Sequence, residues 1–507
     1  MKRTFVIVAL GVVGLFVYTI TLLQYTYITS LAQIFHSKTI LYIITGIFWF
    51  FALVVIVRIL LKSDYAYNKS YWILVIVLNP ILGVFLYFLF ARDFATKRLI
   101  KTRPLIASKA FLGLEETGKV DYKAYNNGNI FEYIRNTTQR AIYQDDTHVE
   151  ILNNGEEFFP KLIEELQKAK DYILMEFYIV KNDKIGTKVL DVLKQKALEN
   201  VEVNLVYDHY GSNKHLDRRY MKSLKKAGVK IRVFDPQSIS FLNANVNFRN
   251  HRKVTVIDGL VGFVGGMNLG DEYNNDESSK FNFWRDTQVM IKGNGVSSVQ
   301  NIFVKDWYYI TNEVIDKPLD KTKINFPGLF SVIESGPDFE NGLIKDVYLK
   351  MIVNAKKSVK LVTPYLIIEP ELMAAFKIAA KSNVQIELLV PGQHDFFTVG
   401  YATKSYYEQL LKIGAKIYEY KDTFVHSKVM IVDDEIASVG TVNIDPRSFH
   451  LNFEATCIFE NEAVKDLVKS YKKDIEKSIN ITLEDWQKRS RIERLIQGWF
   501  NLFSPMF

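Results

Sequence analysis

The chain has 507 residues, 48% hydrophobic and 14% aromatic, which excludes a disordered or low-complexity protein and leaves room for more than one domain. Its single cysteine, Cys457, excludes an internal disulfide framework and a multi-cysteine zinc site. A net charge of +8 suits an anionic partner, phospholipid or nucleic acid, without separating the two.

The first ninety residues do separate them. Phe5–Leu23 and Thr39–Val57 each run nineteen residues without a charge, and Tyr71–Ala91 runs twenty-one. At about 1.5 Å rise per residue, each crosses a hydrocarbon core roughly 30 Å thick. The pattern predicts three transmembrane helices. Lys2-Arg3 ahead of the first run is also how a signal peptide begins, but the run is longer than a signal core and no clear small-residue cleavage site follows. Asn79-Pro80, near the middle of the third, should kink it or turn it back. If the rest of the chain lies inside, Lys38, Arg92, Lys97, Arg98, Lys101 and Arg103 flank the spans there, against Lys2, Arg3, Arg58, Lys62 and Lys69 outside. Six against five sets no orientation, although the group after the last span is the densest.

Residues 1–91 therefore read as a membrane domain with two or three spans, and 92–145 as a juxtamembrane linker. Near Val149 the pattern changes to alternating helix and strand: Phe158–Lys168 is amphipathic, Tyr172–Val180 is a strand, Lys188–Ala197 a helix and Val201–Tyr207 a buried strand. The order returns as Val347–Ala355 helix, Val359–Leu366 strand, Pro370–Lys381 helix and Val384–Val390 strand. Residues 146–330 and 331–480 are thus expected to be two α/β halves, each with a central sheet flanked by helices.

Each half carries one copy of a motif. His251, Lys253 and Asp258 form His-x-Lys-(x)4-Asp, with Gly265, Gly266 and Asn268 behind. His426, Lys428 and Asp433 repeat the spacing, with Gly440 and Asn443 behind. Each asparagine stands 17 residues after its histidine, at 268 from 251 and 443 from 426. His251, Lys253 and Thr255 share one side of a strand, because side chains alternate between faces. Asp258-Gly259 is a turn signal and Val261–Val264 a second short strand. Two equivalent halves related by a pseudo-twofold axis would bring both histidines to one site. That pairing suits covalent phosphoryl chemistry, with one imidazole attacking phosphorus and the other handling the leaving and entering protons. The lysines and asparagines would hold the phosphoryl oxygens as charge builds. A catalytic imidazole also needs its second nitrogen held. Glu454, on the strand after the second motif, is the candidate for one histidine, and Asp286 takes the comparable place in the first half; a salt bridge at a strand end is the plainer reading. Asp258 and Asp433 belong to the motif set, but each opens a turn and reads as a backbone-bonding group rather than a proton carrier. No His-x-x-x-His or paired-Cys spacing suggests a metal, and the two-histidine scheme calls for no cofactor.

The duplicated motif resembles the signature of the phospholipase D superfamily. Asn247-Phe-Arg-Asn-His251-Arg-Lys253, Phe283-Trp-Arg-Asp286, Asp306-Trp-Tyr-Tyr309 and Arg447-Ser-Phe-His-Leu-Asn-Phe-Glu454 resemble the bacterial cardiolipin synthases, over roughly residues 70–507. The resemblance implies transfer of a phosphatidyl group between two phosphatidylglycerol molecules at the cytoplasmic membrane face, through a phosphohistidine on His251. It implies phosphatidylglycerol and cardiolipin as partners, no nucleic acid, and a possible homo-oligomer. The family usually has two membrane segments, so Phe5–Leu23 departs from it. The alternatives are a phospholipase D that hydrolyses to phosphatidic acid, a tethered nuclease, and a lipid-binding scaffold.

His209 follows Asp208 at a strand end, where a loop could line a cleft and bring it to substrate, while His36, His148, His215, His394 and His450 read as surface residues. At the end of the chain, residues 481–507 hold Ile492, Leu495, Ile496, Trp499 and Phe503 at helical spacing among Lys488, Arg489, Arg491 and Arg494. Such a helix lies in the headgroup region of a membrane or packs on its own domain as a core stripe.

Overall fold

The computed structural model describes residues 38–62, 66–90, 120–138, 140–234, 248–275, 281, 283–317, 324–339, 342–421, 423–502 and 504. The run Phe5–Leu23, His36 and Phe503 lie outside them. Two compact units are present, residues 1–94 with 241–247, and residues 95–240 with 248–507.

In the first unit, helix Lys38–Leu61 covers the expected second span. The third is two helices, Ala66–Leu78 and Pro80–Phe90, which part at Asn79-Pro80. Proline has no N–H for the ladder, and here it opens a new helix, whose Leu82 N–H is capped by Asn79 Oδ1 at 3.0 Å. Among the described residues, no helix is long and apolar enough to cross a membrane.

The second unit contains the two expected halves. A seven-stranded sheet runs in the order Thr147–Asn153, Thr287–Gly293, Val261–Gly265, Lys253–Ile257, Tyr172–Phe177, Glu202–Asp208 and Lys230–Phe234. The last three strands are mutually parallel, as the helices between them require, and the others are antiparallel. The other sheet repeats this order with Gly328–Ser335, Asn452–Asn461, Ile436–Gly440, Val429–Val432, Ser358–Val362, Gln385–Pro391 and Lys416–Tyr420. Residues 120–145, read from sequence as linker, include helix Gly128–Thr138 and strand Tyr143–Gln144, and that strand extends the second sheet at Gly328–Ser335.

Period-2 alternation divides each strand between two cores. Val254, Val256 and Val264 join Val429, Ile431 and Val439 in a cluster common to both sheets. Residues of opposite parity, such as Ile173 and Met175 in one half and Ile386 and Leu388 in the other, fill separate cores beneath the outer helices. The motif hairpins turn at Asp258-Gly259 and Asp433-Asp434, all four at positive φ, the tight geometry that short polar residues and glycine tolerate. Each turn aspartate then accepts three backbone N–H groups from the segment entering the neighbouring strand. Asp258 takes those of Lys170, Asp171 and Tyr172 at 2.8–2.9 Å. Asp433 takes those of Lys356, Lys357 and Ser358 at 2.6–2.8 Å.

Candidate active site

The two halves meet at the ends of their motif strands opposite these turns. Short strand Arg249–Asn250 pairs with Asn452–Phe453, and Trp284–Arg285 pairs with Phe424–Val425. His251 N–H donates to Phe453 O at 2.9 Å, and His426 N–H to Arg285 O at 2.7 Å. Each motif histidine is therefore fixed by backbone of the other half.

The carboxylates follow the same crossed rule. Glu454, from the second half, lies 3.0 Å from Nδ1 of His251 through both oxygens. Asp286, from the first half, accepts from Nδ1 of His426 at 2.7 Å. An Nδ1–H held by a carboxyl oxygen leaves Nε2 with its lone pair, the form a nucleophile or base needs. Asp286 sits close because Gly266 makes room: a Cβ there would lie 2.1 Å from Asp286 Oδ1.

Burial and the motif lysines set the charges. Burial, then Lys428, pulls the His426 imidazole down to about 3, while burial, Lys253 and Lys428 hold His251 well below its ordinary value. Both rings are neutral at physiological pH. Asp286 stays ionised: burial pushes it up, but His426 and Lys428 bring it below the usual range. Burial raises Glu454 to about 8 against the pull of Lys253. Lys253 Nζ donates to His251 O at 2.7 Å, and Lys428 Nζ to His426 O. Burial lowers Lys428 to about 8 and Lys253 well below its normal value. The charges of the two lysines act on each other, so an anion between them would relieve both.

The two asparagines are not equivalent. Asn268 Oδ1 accepts from Ile179 N–H at 3.0 Å, and its Nδ2 donates to the Tyr273 hydroxyl at 2.5 Å. Asn443 is buried and its Oδ1 has no hydrogen-bond partner among the described residues.

Several participants escape a reading of the sequence. Tyr178 meets the His251 ring edge-on at 5.0 Å, and Tyr273 meets His426 in the same way at 5.5 Å. Trp284 and Phe424 complete the wall around His426. Arg252, inside the motif and fully buried, donates to Glu454 O at 3.1 Å and pairs with Asp306 and Glu334. Thr441 Oγ1 donates to Glu454. The alternation Asn250-His251-Arg252 hints at an inward-facing arginine, but its partners lie far off in sequence. Asp208 accepts from Asn250 N–H at 3.0 Å, whereas its neighbour His209 is half-buried at the start of a helical turn. Two histidines depart from the expected surface position. Both ring nitrogens of His394 are buried, and His450 Nε2 bonds the Glu369 carboxylate at 2.9 Å. Among the described residues, no group of three His, Cys, Asp or Glu is arranged to hold a metal ion.

Two like halves that contribute one His-Lys pair each to a shared centre define a phospholipase D-like protein. The family model described as "Cardiolipin synthase, PLD-like domain" matches residues 162–307 and 348–479, and "Phospholipase_D-nuclease N-terminal" matches 47–92. Cardiolipin synthase 2 of Bacillus anthracis is 38% identical over 88% of this chain and 88% of its own. The major cardiolipin synthase of Bacillus subtilis is 36% identical over 92% and 99%. The chain belongs to the cardiolipin synthase family of the phospholipase D superfamily. Among solved structures, phosphatidylserine synthase of Haemophilus influenzae aligns with a TM-score of 0.56 at 14% identity, covering 74% of this chain and 97% of that one, a likeness of fold.

Proposed function

We propose that the protein is a membrane-bound phosphatidyltransferase that converts two molecules of phosphatidylglycerol into cardiolipin and glycerol. Family membership supports the reaction, and one observation carries the mechanism: two neutral imidazoles, each held at Nδ1 by a carboxyl group of the opposite half. His251 Nε2 attacks phosphorus, the bond to the glycerol oxygen breaks, and His426 supplies the proton to that oxygen. For this, His426 must gain a proton, which the phosphodiester charge favours by offsetting Lys253 and Lys428. A hydroxyl of the second phosphatidylglycerol then gives its proton to His426 and attacks phosphorus. The phosphorus–nitrogen bond breaks and cardiolipin leaves. Lys253 and Lys428 hold the phosphoryl oxygens with Asn443 and Asn268, Glu454 and Asp286 orient the rings, and Asp258 and Asp433 brace the hairpins. Taking His251 as the nucleophile follows the superfamily resemblance.

The apolar runs before residue 92 support a multi-pass anchor, the family resemblance favours the cytoplasmic side for the catalytic halves, and a site facing the bilayer meets concentrated lipid hydroxyls and little water. The test is product analysis with the full chain in phosphatidylglycerol liposomes. Cardiolipin with stoichiometric glycerol is expected, and phosphatidic acid in its place overturns the transferase reading. A labelled lipid adduct should survive in His426→Ala and vanish in His251→Ala; the reverse exchanges the two roles.

A further inference from the structure

The C-terminal helix Arg491–Leu502 has two apolar sets on different faces. One faces the body of the protein. The Phe500 ring stacks on Tyr401 at 5.8 Å and meets Phe397 edge-on at 5.8 Å. Asn501 Nδ2 donates to Ser405 Oγ at 2.7 Å, and the buried Gln497 accepts from Arg489 Nε at 3.0 Å. The other set, Ile492, Leu495, Trp499 and Leu502, follows at spacings of three and four on the opposite face and is 46–71% exposed. Among the described residues, Ile492, Leu495 and Leu502 are more than half exposed and form no core stripe.

A second exposed apolar pair adjoins the helix. Phe396 and Phe397, at the start of helix Phe397–Ser405, are 61% and 70% exposed, and Phe397 reaches the C-terminal helix through Phe500. Scattered exposed hydrophobics are ordinary, but six large ones on adjoining elements mark a surface that is covered in use. Charge indicates what covers it. Arg491 and Arg494 stand exposed on the same helix, and a tryptophan beside arginines on an amphipathic helix is the composition of an interfacial anchor for anionic lipid. The platform also adjoins the site. Asp395, immediately before Phe396, accepts the Tyr365 hydroxyl at 2.6 Å, and its charge acts on Lys428 and Tyr273.

We propose that Phe396, Phe397 and the outward stripe of helix Arg491–Leu502 dock on an anionic phospholipid bilayer, setting the Tyr365–Asp395 side of the site against the headgroups. The use made of the docked lipid rests on the function proposed above, but the docking itself is read without turnover.

Cys457 is buried and is the only cysteine, so a fluorophore can be placed selectively. The full chain carrying Phe397→Cys, labelled with NBD and reconstituted in phosphatidylglycerol-containing liposomes, is compared with the same label at Leu198→Cys, a position 67% exposed. Quenching by doxyl lipid at 397 with protection from aqueous iodide is expected, and the opposite pattern at 198. Equal iodide quenching at both positions overturns the proposal. So does a label at 397 that is shielded from iodide yet untouched by doxyl lipid, since protein then covers the surface. The Phe396→Ser/Phe397→Ser double variant should raise KM for phosphatidylglycerol in mixed micelles about tenfold with kcat held; an unchanged KM counts against docking. Lipid quenching at 397 in a chain that makes no cardiolipin would keep the docking and discard the function.

Discussion

Replacing Asp286 by asparagine isolates what the carboxylate against His426 contributes. The side chain keeps its shape and an acceptor oxygen at the position now 2.7 Å from Nδ1, and loses one negative charge at a site 1% exposed. A buried opposite charge at that range shifts a titration by about 1–3 units. At about 1.4 kcal/mol per unit, the imidazolium that must form on His426 loses roughly 1.4–4 kcal/mol. Glycerol release should therefore slow by about tenfold to a thousandfold. Rapid-quench kinetics with headgroup-labelled phosphatidylglycerol reads this step directly. A double-mutant cycle on thermal stability reads the pairing: Asp286→Asn and His426→Gln should couple by about 1 kcal/mol or more, while Asp286→Asn and His251→Gln add to within about 0.5 kcal/mol. A release rate within threefold of the parent, or coupling of Asp286 to His251 in place of His426, refutes the crossed arrangement.

Asp258→Ala strips the acceptor from three backbone N–H groups remote from the histidines, so it should cost about 2 kcal/mol of stability while the folded fraction keeps its rate; a rate loss without a melting shift would give this aspartate a chemical role. Arg252→Met leaves Asp306 buried without its cation, while Glu334 keeps Arg140 and Lys305, and calorimetry should register a loss of about 3–5 kcal/mol; no loss would mean the Arg252–Asp306 pair is not formed. The pH dependence follows from His426, held near 3 in the folded chain against 6.5 unperturbed. A depressed pKa contributes stability that is complete above 6.5 and drains as pH falls toward 3, so the melting temperature should drop on acidification. The His426→Gln variant should drop less; an equal fall assigns the acid sensitivity elsewhere.

Local features of this protein are written in its sequence. Strand alternation set Val254 and Val256 on one face and Lys253 and Thr255 on the other, Asp-Gly and Asp-Asp turned the hairpins, and Asn79-Pro80 broke an apolar run into two helices. Each depends on side-chain periodicity or backbone preference within a few residues, which a string of letters carries. The repeated spacing of the motif likewise announced two halves and one centre. Only the tertiary structure decided which carboxylate serves which histidine. The partner of His251 stands 203 residues away and that of His426 140 away, each in the opposite half. No local propensity encodes such a pairing, because it arises when two sheets pack through a common core and short strands pair from one half to the other. The C-terminal helix shows the same division, since helical spacing says that apolar side chains share a face and only packing leaves Ile492, Leu495 and Leu502 exposed among the described residues.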